Sequence, residues 1–179
     1  MTTLNELQTQ LERLRETGFD SELVAQAAAH GLPPAFLFAI ASRETNCRNE
    51  LGDWRDSAAH GVGILQVDVQ HECARQARDD GSWRTAPGAL IAFAAQLLAD
   101  NLRQAQQAFP QLAADEQFKI AASGYNSGMA LAIAGAHHGD SDRHTTGRNY
   151  GADVVSRMKA FETLLGADKA GGQFLTAPA

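Results

Sequence analysis

A glutamate and three aspartates are the residues here from which acid–base chemistry can be built. Glu44 lies near the end of the run PAFLFAIASRET, which is apolar almost all round and turns polar only at Ser42-Arg43-Glu44. Such a run reads as a central buried helix, so a carboxyl group stands where that helix leaves the apolar interior. Desolvation there disfavours the charged form and raises the pKa. An acid poised near about 6 can protonate a leaving-group oxygen at neutral pH. A surface ion pair with Arg43 is the plainer fate of such a glutamate. Asp53, Asp56 and Asp68 follow in a stretch broken by Gly52, Gly61 and Gly63. Inverting glycoside hydrolysis needs a second carboxylate about 6.5–9.5 Å from the acid, leaving space for the attacking water. A glycine-rich hairpin folded over a helix end can bring one there, although loop aspartates also make turns and caps.

Tyr125 and Asn126, between Gly124 and Gly128, read as a loop-to-helix junction. The tyrosine offers an aromatic face and a hydroxyl to a sugar ring; the asparagine either joins it or caps the helix that follows. His60, His71, His137, His138 and His144 lie in polar stretches, and no pair has zinc-ligand spacing, the His71-Glu72-Cys73 run included. They read as solvated surface, with no metal or organic cofactor implied. The absence of GxSxG, P-loop and GxGxxG patterns leaves serine-nucleophile and nucleotide chemistry without support. Cys47 and Cys73 are too few for a disulfide scaffold and read as structural thiols, one bridge between them remaining open.

The elements that must position these groups are mainly helical. Alanine occurs 33 times against 11 for valine and isoleucine together, which favours helix because alanine loses no side-chain rotamers there. Leu4, Leu7, Leu11 and Leu14 recur at helical spacing, to pack on the core or else on a partner, the core being taken, and Gly18 stops them. Asp20 and Ser21 are placed to cap a second helix that Gly31 ends, and Pro33-Pro34 open the buried one. GVGILQVDV alternates as a short strand or hairpin. Further helices are expected over about 86–108, 115–123, 129–136 and 150–165, with a polar loop at 137–149. A chain of 179 residues has the length of one domain. The net charge of −6 opposes general nucleic-acid binding, and no apolar run approaches the roughly 18 residues of a membrane span. The start, MTTLNELQTQ, has none of the marks of a secretory leader.

Taken together, the segments resemble ordered blocks of the goose-type lysozymes, within a superfamily shared with the soluble lytic transglycosylases. Ile40-Ala41-Ser42-Arg43-Glu44-Thr45 is similar to that family's Ser-Arg-Glu-Ser block. His60-Gly61-Val62-Gly63-Ile64-Leu65-Gln66-Val67-Asp68 is similar to its Gly-Leu-Met-Gln-Val-Asp block. Ser123-Gly124-Tyr125-Asn126-Ser127-Gly128 is similar to Ala-Tyr-Asn-Ala-Gly, and the segment Tyr150–Arg157 to Tyr-Ala-Asn-Asp-Val-Val-Ala-Arg.

The resemblance implies a mainly α, lysozyme-like α+β fold with a central buried helix and one small β-hairpin. It implies a muramidase that cuts the β-1,4 bond between N-acetylmuramic acid and N-acetylglucosamine. By that match Glu44 is the general acid, Asp68 helps hold the attacking water, and Tyr150 hydrogen-bonds the glutamate. Gln66, Tyr125 and Asn126 line the sugar cleft. The family's earlier aspartate falls within Gly52-Asp53-Trp54-Arg55-Asp56: the Gly-Asp dipeptide favours Asp53, the distance to the second block favours Asp56, and Asp56 is taken as the match. Residues 33–165 are then the catalytic domain, 1–32 a helical extension packed on the core, and 166–179 a mobile tail. The expected partner is the glycan strand of peptidoglycan, with an inhibitor or immunity protein as a second possible occupant of the cleft. The expected place of action is the periplasm or the cell exterior, reached by another route or after loss of a leader. A lytic transglycosylase forming 1,6-anhydro ends and an inactive glycan-binding module are the competing readings.

Overall fold

The computed structural model describes residues 2–170, with side chains through residue 167. Thr3 and Glu6 cap α1 (Leu4–Thr17) reciprocally, the Thr3 hydroxyl accepting from the Glu6 amide and the Glu6 carboxylate from the Thr3 amide. Leu7, Leu11 and Leu14 of α1 are buried, while Leu4 is half exposed at its start. Gly18 both ends α1 and begins α2 (Phe19–His30), so Asp20 and Ser21 lie inside the first turn and supply no cap.

The apolar run forms α3 (Pro34–Thr45), buried continuously from Ala35 to Ser42. Each large side chain taken from water there contributes about 1.5–3 kcal/mol, and edge-on ring contacts add to it: Phe36 with Phe118 at 4.9 Å and Phe38 with Phe161 at 5.8 Å. Asn46, in the left-handed conformation, ends α3, and the Cys47 amide reaches back to the Ala41 carbonyl at 3.1 Å.

Three antiparallel strands follow, β1 (Leu51–Arg55), β2 (Ala58–Val62) and β3 (Val67–Asp68), ordered β1-β2-β3. The expected single hairpin is therefore a three-stranded sheet, with residues 63–66 of GVGILQVDV as its second turn. Strand β1 has no apolar alternation; it is half-buried then exposed, and pairing with β2 holds it rather than core burial.

Helix resumes at α4 (Glu72–Asp80) and α5 (Ser82–Thr85), well before the expected residue 86. They lead into α6 (Gly88–Ala108), α7 (Ala114–Ser127), α8 (Met129–His137) and α9 (Tyr150–Ala170). Short 3-10 turns at Ser141–His144 and Thr146–Arg148 occupy the polar loop before α9. Helix α7 runs on through Gly124, Tyr125 and Asn126, so these close a helix rather than open one. Helix α9 passes the expected end at residue 165, and residues 171–179 of the expected tail lie outside the described residues. Val154, Met158 and Phe161 of α9 pack on α3 within one core that also takes in α1 and α2. No described helix is long and apolar enough to cross a membrane.

The close approach of α9 to α7 depends on Gly151. A Cβ there would collide with the Lys119 carbonyl and the Ser123 hydroxyl. Gly151→Ala is expected to lower stability by about 1–3 kcal/mol through overpacking, read as a lower urea midpoint. An unchanged midpoint would show that the two helices can separate freely.

Candidate active site

Glu44 sits in the last turn of α3, half-buried, where Tyr150 begins α9. Burial pushes the Glu44 carboxyl up to about 7. The hydrogen bond donated by Tyr150 and the charge of Arg43 oppose that rise, and the charge of Asp53 adds to it. The Tyr150 and Tyr125 hydroxyls are both pushed well above their ordinary value, first by burial and then by Glu44. Both therefore stay protonated and act as fixed donors at neutral pH. The Tyr125 hydroxyl donates to the Leu65 carbonyl at 2.8 Å, tying the end of α7 to the turn between β2 and β3.

Two buried polar clusters hold the acid side. Asp142, almost wholly buried, accepts from the Gly151 and Ala152 amides at 2.7 and 2.9 Å, and from Ser123 at 3.0 Å. A carboxylate is stabilised at a helix N-terminus by the amides and dipole it faces, so Asp142 fixes the first turn of α9 and with it Tyr150. On the other side Arg157 donates to Asp153 at 2.8 Å and to the Ser42 hydroxyl at 2.7 Å, and Ser42 donates to Gln10 of α1 at 2.6 Å. Asp153 also pairs with Arg43 at 3.6 Å, whose guanidinium lies 5.4 Å from the Tyr150 ring centre.

The facing wall is the sheet. Gln66, at φ 50°, donates its amide to the Glu50 and Gly63 carbonyls at 2.9 and 2.8 Å. Its side chain lies across the paired glycines 52 and 61, where any Cβ would strike it. Asp53 and His60 occupy opposed positions of β1 and β2, and Asp68 pairs with Gly61 on the other edge. Asp53 accepts from Nε and Nη2 of Arg55, at 3.2 and 2.7 Å, in an open setting. Asp68 accepts from the Gln70 amide at 2.7 Å.

Glu44, Asp68, Gln66, Tyr125, Asn126 and Tyr150 line a single cleft of about 530 Å³, and Asp53 lines it with them. Asp56 does not: it sits in the β1–β2 turn at φ 47°, away from the cleft walls. The structure thus brings Asp53, not Asp56, to face the acid, because the hairpin closes at residues 56–57 and turns Asp56 outward. Asn126 accepts from the Thr146 amide at 2.8 Å and so braces the loop before α9. His60, Arg43, Arg55 and Thr146 also line the cleft and escape sequence reasoning. For His60 the missing signal was strand register, which places it across from Asp53. Cys47 and Cys73 are both free; burial pushes the Cys47 thiol up to about 12, the behaviour of an inert core thiol.

A family model described as Lysozyme g matches residues 8–164, beginning inside α1 and so reaching earlier than the motif blocks do. Lysozyme g of Epinephelus coioides is 29% identical over 160 residues, covering 83% of this chain and 76% of that protein. Lysozyme g of Cyprinus carpio is 27% identical over 135 residues, covering 75% and 68%. Lysozyme g of Gallus gallus is 28% identical over 131 residues, covering 73% of this chain and 57% of that protein.

Tyr150→Phe removes the donor that favours the charged form of Glu44. The Glu44 pKa is then expected to rise above about 7, followed by carbon-13 NMR of the side-chain carboxyl. A fall, or no change, would mean that the hydroxyl does not bear on the acid.

Proposed function

The chain belongs to the lysozyme g family, and we propose that its cleft cuts the β-1,4 bond between N-acetylmuramic acid and N-acetylglucosamine by a single displacement with inversion. The protein is a glycoside hydrolase of lysozyme type that acts on peptidoglycan. The observation that carries the finer reading is one acid held near neutrality on a helical wall, with two solvated aspartates on the sheet wall of the same cleft.

In this reading the protonated Glu44 donates to the glycosidic oxygen as the bond to the anomeric carbon breaks. A water on the sheet side, hydrogen-bonded to Asp53 and Asp68, attacks that carbon from the opposite face. The aspartates take up its proton, and solvent exchange returns one to Glu44. Tyr150 keeps the acid oriented and Tyr125 keeps the two walls in register. Asp53 takes the water-holding part that sequence distance had given to Asp56. Peptidoglycan lies outside the cytoplasmic membrane, so the site of action is the periplasm or the cell exterior. An inhibitor or immunity protein would block the enzyme by filling this cleft.

Glu44→Gln is expected to lose about 10³-fold or more in turnover while keeping the fold. Asp53→Asn should lose at least about tenfold more than Asp56→Asn, as expected for a base rather than a bystander. Digestion of purified peptidoglycan in oxygen-18 water is expected to leave labelled reducing ends by mass spectrometry. Unlabelled 1,6-anhydromuramyl ends would overturn hydrolysis in favour of transglycosylation. The same acid has a stability signature. Its folded pKa lies above the ordinary value of 4.5, so the stability it contributes below about 4.5 is lost as pH rises through about 7. Glu44→Gln is expected to exceed the wild type by on the order of 2–3 kcal/mol at pH 8 and to match it near pH 4. Equal denaturant midpoints at both pH values would contradict the raised pKa.

A further inference from the structure

We propose that Arg55 is a positioning residue: it aims the Asp53 carboxylate at the attacking water and so commits the cleft to hydrolysis over internal transfer. The proposal rests on the reading of Asp53 as a water-holding carboxylate. Glu44 and Asp68 have donors that the fold itself places, Tyr150 of α9 for the first and the Gln70 backbone amide for the second. Asp53 has neither. Among the described residues it accepts hydrogen bonds from Arg55 alone, Nε to Oδ1 at 3.2 Å and Nη2 to Oδ2 at 2.7 Å. Arg55 and Asp53 both line the cleft, and the charge of Asp53 is felt by Glu44 across it.

The hairpin explains both why this grip is needed and why it forms. Asp53 is exposed and departs from extended backbone at φ 49°, on a strand held by pairing with β2. Packing therefore leaves its carboxylate free to turn. Asp56 and Ser57 are both left-handed, at φ 47° and 65°, a tight turn whose twist suits paired strands. That turn sets Arg55 opposite Ala58, and residues two apart on a strand share a face, so the guanidinium reaches back to Asp53 within the strand. A fork onto both oxygens fixes the carboxylate plane and leaves each oxygen a lone pair for water. The pair is open to solvent, with side-chain exposures of 65% and 48%, so it adds little to stability. Its effect is on direction.

Two nucleophiles compete for the anomeric carbon once Glu44 has given its proton to the leaving oxygen and the bond to that oxygen breaks. Water forms a bond there to leave a reducing end, and its proton passes to an aspartate. The muramyl 6-hydroxyl instead closes a 1,6-anhydro ring, and its proton passes to the ionised Glu44. Only the first route uses a carboxylate on the sheet wall. Loosening Asp53 therefore slows hydrolysis and spares internal transfer.

The test uses the full chain, with steady-state rates on soluble glycan strands and mass spectrometry of ends formed in oxygen-18 water. Arg55→Gln is expected to lower kcat for labelled reducing ends by about tenfold, with KM and the denaturant midpoint unchanged. The ratio of 1,6-anhydro to labelled ends should rise by the same factor. Arg55→Lys, which keeps the charge but not the fork, should restore part of the loss. In an Asp53→Asn background Arg55→Gln should have no further effect, since the arginine acts through the aspartate. Arg103→Gln, which breaks a surface pair with Asp100 on α6, should change none of these readings. A loss that appears in KM, or that persists in the Asp53→Asn background, would overturn the proposal by showing that Arg55 serves the sugar directly. So would an Arg55→Gln variant with the kcat and product ratio of the wild type, while Asp53→Asn remains impaired. Anhydro ends alone from the wild type, or an unimpaired Asp53→Asn, would instead remove the water-holding reading on which the proposal rests.

Discussion

A carboxyl group at the exit of the most apolar helix is the constraint around which the molecule is arranged. Helix α3 is buried along one unbroken stretch before it reaches Glu44. Burial alone would leave this acid destabilised and free to turn toward water, since an ionised carboxyl in an apolar setting is costly. The Tyr150 hydroxyl answers that with one donor, enough to hold the group in place and too little to return its pKa to that of an ordinary glutamate. An acid retaining its proton near neutrality is thus a consequence of packing, with the tyrosine setting its direction.

That arrangement transfers the demand for precision from Glu44 to the start of α9. Tyr150 can reach the acid only if α9 begins at one place against α7 and α3. Gly151 permits the approach to α7, and Asp142 fills the helix's first amides from within the protein. On the α3 side, the chain from Arg43 through Asp153, Arg157 and Ser42 to Gln10 joins α9 to α3 and α1. Breaking one member of such a buried cluster leaves its partner uncompensated, so the cluster specifies one geometry more than it adds stability. The N-terminal helices are for this reason part of the site's support. The start of the family match within α1 agrees with that position.

How much of this was legible follows from where each signal resides. Helices with bulky apolar stripes, such as α1, α3, α6 and α9, carry their own pattern. Helix α4 buries only Ala74 and Ala77, so its stripe is too slight to separate from a polar loop, and β1 is fixed by its neighbour rather than by burial. Glu44 was visible because its environment is local sequence. Asp142 was not, since it matters only through three segments that converge on it from either side of the polar loop. Which of Asp53 and Asp56 lines the cleft turns on where the hairpin closes, a tertiary property that the spacing between motifs does not carry. Tyr125 and Asn126 line the cleft but close a helix instead of opening one, because Gly124, which lets Met129 and Asn101 approach, looks like a break.

Glu44 on one side and Asp53 and Asp68 on the other belong to separately braced walls of one cleft. Two hydrogen bonds join these walls at neighbouring carbonyls: Thr45 of α3 donates to Ile64 at 3.0 Å, and Tyr125 of α7 donates to Leu65 at 2.8 Å. Both carbonyls lie in the tight turn between β2 and β3, and the next residue, Gln66, pins β1 and β2 through the Glu50 and Gly63 carbonyls. The run Ile64-Leu65-Gln66 therefore acts as the spacer between the two cleft walls. Its first two side chains are buried in the core, its carbonyls face the acid wall, and its third side chain lies over the glycines of the aspartate wall. The turn accordingly fixes how the Glu44 wall stands against the wall of Asp53 and Asp68.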